Sequence, residues 1–437
     1  MSGSRYANKL DRLESQTLLP RLATETRDFV REIATTYRFT FQDLRRVAET
    51  ARDLEMWREE SLESWWQRAE TEVSGHGRQR KKALLGRLDT HRNTLRAVET
   101  RYPEGGLAPP SRRSVRLQEA ESSGDVFGRC PAYSDNTVCC SLRTIDAVRG
   151  CPFGCSYCTI QTFYGETAEL ETNLAQKLDA VELDPLHLYH VGTGQASDSL
   201  VWGNRGGVLE VLLGFARKHP NVVLELKTKS DNVDPLLTDD AGDRKIPSTV
   251  VCSWSLAPDS VIENEEHGTA SLARRLAAAR KVADRGVGVG FHFHPMVAHQ
   301  GWRDAYADIA AKLQAQFDPR EVAFISMGAP TFIRPVVQEI RRRGGETKIL
   351  QSELVADHHG KLTYPDEIKV ELYGHLFAAF SPWHDEVFFY LCMETETMWQ
   401  KTLGWSHATN SAFERAFALH CLRRDDCESA RVADSAS

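Results

Sequence analysis

Between Arg149 and Gln161 the chain reads Arg-Gly-Cys-Pro-Phe-Gly-Cys-Ser-Tyr-Cys-Thr-Ile-Gln, and its cysteines at 151, 155 and 158 constrain the protein more than any other feature. Thiolates are soft ligands suited to zinc, copper(I) or iron–sulfur clusters, and ligand number and geometry choose among them. Structural zinc sites and fully ligated iron–sulfur clusters both take four ligands. This run supplies three and stops. A cluster held by three cysteines leaves one iron open to a chelating cofactor. A structural zinc site or a redox cysteine group is the competing reading.

The 437 residues suffice for one large core or two domains. A net charge of -7 argues against a protein that coats nucleic acid non-specifically, although a local basic cleft is compatible with it. The start, Met1-Ser2-Gly3-Ser4-Arg5, is not followed by the apolar core of a signal peptide, and no apolar run reaches the length of a membrane span. Ten cysteines without an export signal fit thiols kept reduced in the cytoplasm.

In chain order, residues 1–100 read as a helical domain, with apolar positions such as Phe29, Ile33, Leu44 and Val47 at helical spacing. The third helix is expected near Leu54 to Val73 and the fourth near Arg80 to Thr100. The basic run Arg78-Gln79-Arg80-Lys81-Lys82 could face a polyanion, and its plainer reading is a solvated helix start or turn. A Pro/Gly/Ser-rich connector is expected over 101–135, a core over 136–345, an α/β extension over 346–425 and a flexible tail over 426–437. Strand-like runs at Leu142–Val148, Leu186–Val191, Val222–Thr228, Val250–Leu256, Val287–His294 and Glu321–Met327 alternate with helical ones. Such repeats argue for parallel βαβ units, closed or open, with functional residues on the loops that follow the strands. Cys130, Cys139 and Cys140 match no ligand spacing and read as incidental thiols.

The C-x3-C-x2-C run, with an aromatic before its last cysteine, resembles the signature of the radical S-adenosylmethionine (SAM) superfamily, and later segments are similar to its spore photoproduct lyase family. These are Gly194-Gln195-Ala196-Ser197-Asp198, Thr228-Lys229-Ser230-Asp231-Asn232-Val233, Ser253-Trp254-Ser255-Leu256 with Gly268-Thr269, and Gly290-Phe291-His292-Phe293-His294 with Gly301-Trp302. The resemblance covers about residues 135–405 and implies an α/β fold, a partial (β/α)6 TIM-like barrel, here with an additional N-terminal helical domain. It implies a [4Fe–4S] cluster on Cys151, Cys155 and Cys158, and SAM bound at the open iron and cleaved to a 5′-deoxyadenosyl radical. Tyr157 would lie near the adenine, and Ser197, Asp198, Lys229 and Ser255 would contact SAM. Lys227 and Lys229 share strand parity, so the motif match alone selects Lys229. His292 and His294 face one side of their strand, either toward SAM or substrate or as satisfied core histidines. An external one-electron donor of flavodoxin or ferredoxin type is implied as partner.

The hydrogen-transfer half of the family pattern departs here. The donor cysteine two residues before the matched serine is Gln195, whose N–H and C–H bonds are much stronger than a thiol S–H. The tyrosine expected directly after the last cluster cysteine is Thr159, and a substrate-side tyrosine is replaced by Leu362. The expected activity is therefore hydrogen-atom abstraction from a substrate that the sequence does not identify, with the acidic net charge and the lost donor cysteine favouring a small molecule or peptide. DNA carrying a thymine photoproduct is the alternative substrate, and a non-catalytic iron–sulfur or redox-sensing protein is the third reading.

Overall fold

The computed structural model describes residues 2–109 and 115–422; the tail expected over 426–437 lies outside the described residues. Residue contacts divide the chain into two units.

One unit gathers Met1–Arg112, Ala298–Gln300 and Thr331–Pro365. Its helices are Ser2–Glu14, Thr24–Tyr37, Phe41–Trp57, Leu62–Glu72 and Gly77–Ala97, with a further helix Arg334–Arg343. Val30, Ile33, Leu44, Val47, Trp66, Leu84 and Leu88 form its core. The single helix expected from Leu54 to Val73 is two. Arg58 takes a left-handed conformation (φ 52°) that ends the first, and the Ser61 hydroxyl caps the Ser64 N–H at 3.2 Å to begin the second. Two members of the basic run serve the fold: Lys81 pairs with Asp43 at 2.9 Å, and Arg80 donates to the Glu70 carbonyl at 2.8 Å. Residues 331–365 join this unit through a buried carboxylate, since Asp53 accepts from Arg341 Nε at 2.7 Å and also from Arg92. Removing one partner of such a set leaves an uncompensated buried charge.

The other unit gathers Arg113–Val297, Gly301–Pro330 and Asp366–Ser437. Its centre is an eight-stranded sheet of β1 Phe127–Arg129, β2 Arg143–Ile145, β3 Tyr189–Thr193, β4 Val222–Thr228, β5 Val250–Ser255, β6 Gly288–Phe293, β7 Val322–Met327 and β8 Phe388–Leu391. The strands lie in chain order from β8 to β1, and all neighbours are parallel except the antiparallel β1–β2 pair at one edge. The sheet therefore has two free ends and is a curled, open half-barrel, and with the helical N-terminal region it matches the expected partial barrel plus helical domain. Helices Val208–Lys218, Leu272–Ala283 and Trp302–Gln316 make the crossovers that parallel strands require. The helix Asn410–Leu422 packs on β3, β4 and β7, with Phe417 against His190, Phe324 and Tyr390.

Candidate active site

Four loops meet at the carboxyl ends of β2 to β5. The cysteine loop leaves β2 and is held from both sides. Val148–Arg149 pair antiparallel with Leu170 and Glu169, and Gly154–Cys155 pair with His267 and Glu266. Gly150 has φ +93°, and a side chain there would come within 2.9 Å of the Thr167 carbonyl, so only glycine fits. Its N–H donates to the Ala196 carbonyl at 2.8 Å, and its carbonyl accepts from the Ser197 hydroxyl at 2.6 Å. Gln161 closes the loop by donating to the Phe153 carbonyl at 2.7 Å.

The loops after β3 and β4 are joined by Asp198. Its carboxylate accepts from Leu200 N–H (3.0 Å), Val201 N–H (2.9 Å), the Thr228 hydroxyl (2.7 Å) and Lys229 N–H (2.7 Å). Burial raises its pKa, and these donors oppose the rise. Ser197 and Asp198, expected as SAM contacts, thus hold the turn that fixes Gly150 and the end of β4.

Lys229 points back to the cysteine loop. Its ammonium donates to Glu266 at 2.6 Å and to the Tyr157 hydroxyl, and lies 4.7 Å from the Tyr157 ring centroid. Tyr157 also donates to Glu266. On its other oxygen Glu266 accepts from the fully buried Arg275 at 2.5 Å. Arg275 further donates to the Ser255 carbonyl at 2.8 Å and the Thr269 hydroxyl at 2.7 Å. Burial alone would raise the Glu266 pKa, but Lys229 and Arg275 hold it down to about 2. Glu266 and Arg275 were assigned no role from sequence. The one available signal is that Glu266 opens Glu266-His267-Gly268-Thr269, whose last two residues belong to the segments that carry the resemblance.

His292 belongs to a second buried network, within the half-barrel. Its Nε2 lies 2.5 Å from Glu225 Oε1, its Nδ1 lies 2.5 Å from the Ser326 hydroxyl, and His190 Nε2 meets the other Glu225 oxygen at 2.8 Å. Ser253 donates to Glu225 at 2.5 Å. Burial, and then the nearby Lys227 ammonium, push the His292 pKa down to about 4. Burial opposes the Glu225 charge, yet the two imidazoles hold its pKa well below the usual carboxylate range. A neutral His292 that donates from Nε2 must accept the Ser326 proton at Nδ1, which fixes its tautomer. Gln195 is half-buried in the turn after β3, and Thr159 is exposed at the start of the short helix Ile160–Phe163.

The thiols of Cys151, Cys155 and Cys158 are in no disulfide. Burial drives the Cys151 pKa well above its usual value and that of Cys155 to about 12. Thiols so disfavoured as anions fit a site that a cation completes, because a coordinated thiol is deprotonated outright. Among the described residues no three His, Cys, Asp or Glu side chains close around a single metal ion, and no helix is long and apolar enough to cross a membrane.

Comparison with known proteins finds one family. The family profile described as spore photoproduct lyase matches residues 140–361. A spore photoproduct lyase of Geobacillus sp. (strain Y412MC61) is 25% identical over 278 residues, covering 60% of this chain and 80% of that protein. One from Bacillus subtilis (strain 168) is 28% identical over 250 residues, covering 55% and 71%. Among solved structures, a spore photoproduct lyase complexed with dinucleoside spore photoproduct superposes with a TM-score of 0.52 at 22% identity, over 63% of this chain and 82% of that one. With half of its residues matched by one profile, and with the half-barrel and cysteine loop that the resemblance implied, the chain belongs to the spore photoproduct lyase family.

Proposed function

We propose that the protein is a radical SAM enzyme that holds a [4Fe–4S] cluster on Cys151, Cys155 and Cys158 and abstracts a hydrogen atom from its substrate. The observation that carries this reading is the cysteine loop, pinned by strand pairing on both sides and linked through Tyr157 to Lys229 and Glu266 at the carboxyl ends of parallel strands. When bound, the cluster supplies the electron for reductive cleavage of SAM, delivered to it by an external one-electron donor of flavodoxin or ferredoxin type.

The protein's own part is positioning and exclusion of water. Lys229 would hold the SAM carboxylate as a point charge, with Glu266 and Arg275 fixing where its ammonium rests. Tyr157 would lie against the adenine, and the Ser255 hydroxyl would contact SAM. Ser197 and Asp198 would act through the turn they hold, and His292 through the Glu225 network. Gln195 and Thr159 stand where the family places its hydrogen-transfer residues, and neither carries a hydrogen weak enough to donate. This favours a small-molecule or peptide substrate. A second reading, a DNA repair lyase, is favoured by the relatives' names and by the dinucleoside spore photoproduct in the related structure.

The test is anaerobic incubation of the reconstituted protein with SAM and dithionite, with and without ultraviolet-irradiated DNA, following deoxyadenosine and thymine. Deoxyadenosine release that Cys155→Ala abolishes and DNA leaves unchanged is the expected result. Thymine release would select the repair reading, and no SAM cleavage in any arm would leave a non-catalytic iron–sulfur protein.

A further inference from the structure

Away from the cluster loop, the fold assembles a second group of thiols. An antiparallel bridge joins Val138 to Glu394, with the Val138 N–H on the Glu394 carbonyl at 3.0 Å. It lays Cys139 and Cys140 alongside Met393 and Cys392, just beyond the end of β8. The antiparallel β1–β2 pairing continues as Cys130 N–H donates to the Leu142 carbonyl at 2.9 Å, which brings Cys130 back to the same place. Cys139 is anchored from a third side, its N–H donating to Asn410 Oδ1 at 2.8 Å. Ser141 and Met393, each next to one of these cysteines, are held at positive φ (55° and 60°), conformations that persist only where surrounding contacts impose them. All four thiols are half-buried, whereas Cys252 and Cys421 are buried.

Three of the four differ as acids. A hydrogen bond from Cys140 holds the Cys139 pKa down to about 7; the same hydrogen bond, and then burial, raise that of Cys140, while burial takes that of Cys392 to about 12, with repulsion from Cys130 and Cys139 adding to the rise. The thiolate is the attacking form in exchange, and a pKa near ambient pH is the best compromise between its abundance and its nucleophilicity.

We propose that Cys139 and Cys392 form a thiol–disulfide exchange site whose co-reactant is a small-molecule disulfide. The Cys139 thiolate attacks one sulfur of that disulfide. A new S–S bond forms to Cys139, the old S–S bond breaks, and the departing half leaves as a thiolate and takes up a proton. With Cys139 no longer anionic, part of the repulsion on Cys392 is gone. Cys392 loses its proton and attacks the Cys139 sulfur, expelling the second half as a thiol. Two protein thiols are oxidised to one disulfide, and one small disulfide is reduced to two thiols. The product ties the segment after β1 to the end of β8.

The test treats the full reduced chain, anaerobically, with oxidised glutathione and maps modified peptides over time by mass spectrometry. Cys139 is expected to react at least about tenfold faster than Cys252 or Cys421, and its glutathione adduct to convert into a Cys139–Cys392 disulfide. In Cys392→Ser the adduct should accumulate, and in Cys139→Ser Cys392 should stay reduced. Circular dichroism checks that both variants fold, and the wild-type time course stands without them. A Cys139 no faster than Cys252, an adduct that persists in the wild type, a Cys139–Cys140 disulfide, or a thiophilic metal that copurifies with these four cysteines and is lost in Cys392→Ser would each overturn the proposal.

Discussion

Two buried carboxylates, Glu266 and Glu225, lie in the same half-barrel unit and are kept ionised by different means. Glu266, beside the cysteine loop, is balanced by two full cations, Lys229 and Arg275. Glu225, on β4, is met by the imidazoles of His190 and His292 and by the Ser253 hydroxyl rather than by lysine or arginine. The difference is one of consequence. A carboxylate between cations fixes their positions, and its loss leaves charges stranded. A carboxylate among imidazoles and a hydroxyl fixes the His292 tautomer, and its loss leaves hydrogen bonds unmade rather than a lysine or arginine stranded.

The largest test of that contrast is Glu266→Gln. It leaves the Lys229 and Arg275 charges buried without their counter-ion, and urea unfolding should show a loss of about 3–5 kcal/mol. Glu225→Gln keeps an acceptor for part of its donors and strands no cation, so the expected loss is smaller, about 1–3 kcal/mol. Equal losses for the two variants would mean that His292 carries a charge beside Glu225, and the contrast would fail.

Acid should separate the two networks. His292 has a pKa of about 4 folded against 6.5 in an unperturbed chain. Below pH 6.5 the unfolded chain therefore binds a proton that the folded one refuses, and stability falls as pH drops from 6.5 towards 4. Glu266 titrates at about 2 folded against 4.5. Its contribution, present above pH 4.5, is lost as pH falls from there towards 2. In unfolding curves at stepped pH, His292→Gln should flatten the upper window and Glu266→Gln the lower. The smallest effect expected is Ser253→Ala, which removes one hydrogen bond to Glu225 and should cost about 1 kcal/mol by the same unfolding measurement.

The half-barrel was legible wherever the chain signalled locally. Val222–Thr228 is a run of buried β-formers bounded by turns, and its expected and observed limits coincide. Leu186–Val191 was placed early, the strand being Tyr189–Thr193, because Leu186 and His187 are apolar or aromatic yet lie in the preceding turn. The cysteine loop stands out by the spacing of its thiols, and the strand pairing on both of its sides shows it as a defined element. What stayed hidden depends on partners far along the chain. Glu266 meets Tyr157 from 109 residues away and Lys229 from 37, and its place just before Gly268-Thr269 says nothing of either partner. Asp53 and Arg341 likewise acquire meaning only as a pair across 288 residues. Cys130, Cys139 and Cys140 read as incidental from sequence because a single backbone bridge, not a spacing, brings them to Cys392.

The central claim, that three cysteines hold a cluster with one iron left open, is tested most directly by counting. Anaerobically reconstituted protein should carry about four irons and four sulfides per chain, with the cluster lost in each of Cys151→Ala, Cys155→Ala and Cys158→Ala, and its electron paramagnetic resonance spectrum should change when SAM is added. Zinc in place of iron, a cluster that survives any one of those replacements, or a spectrum indifferent to SAM would contradict it.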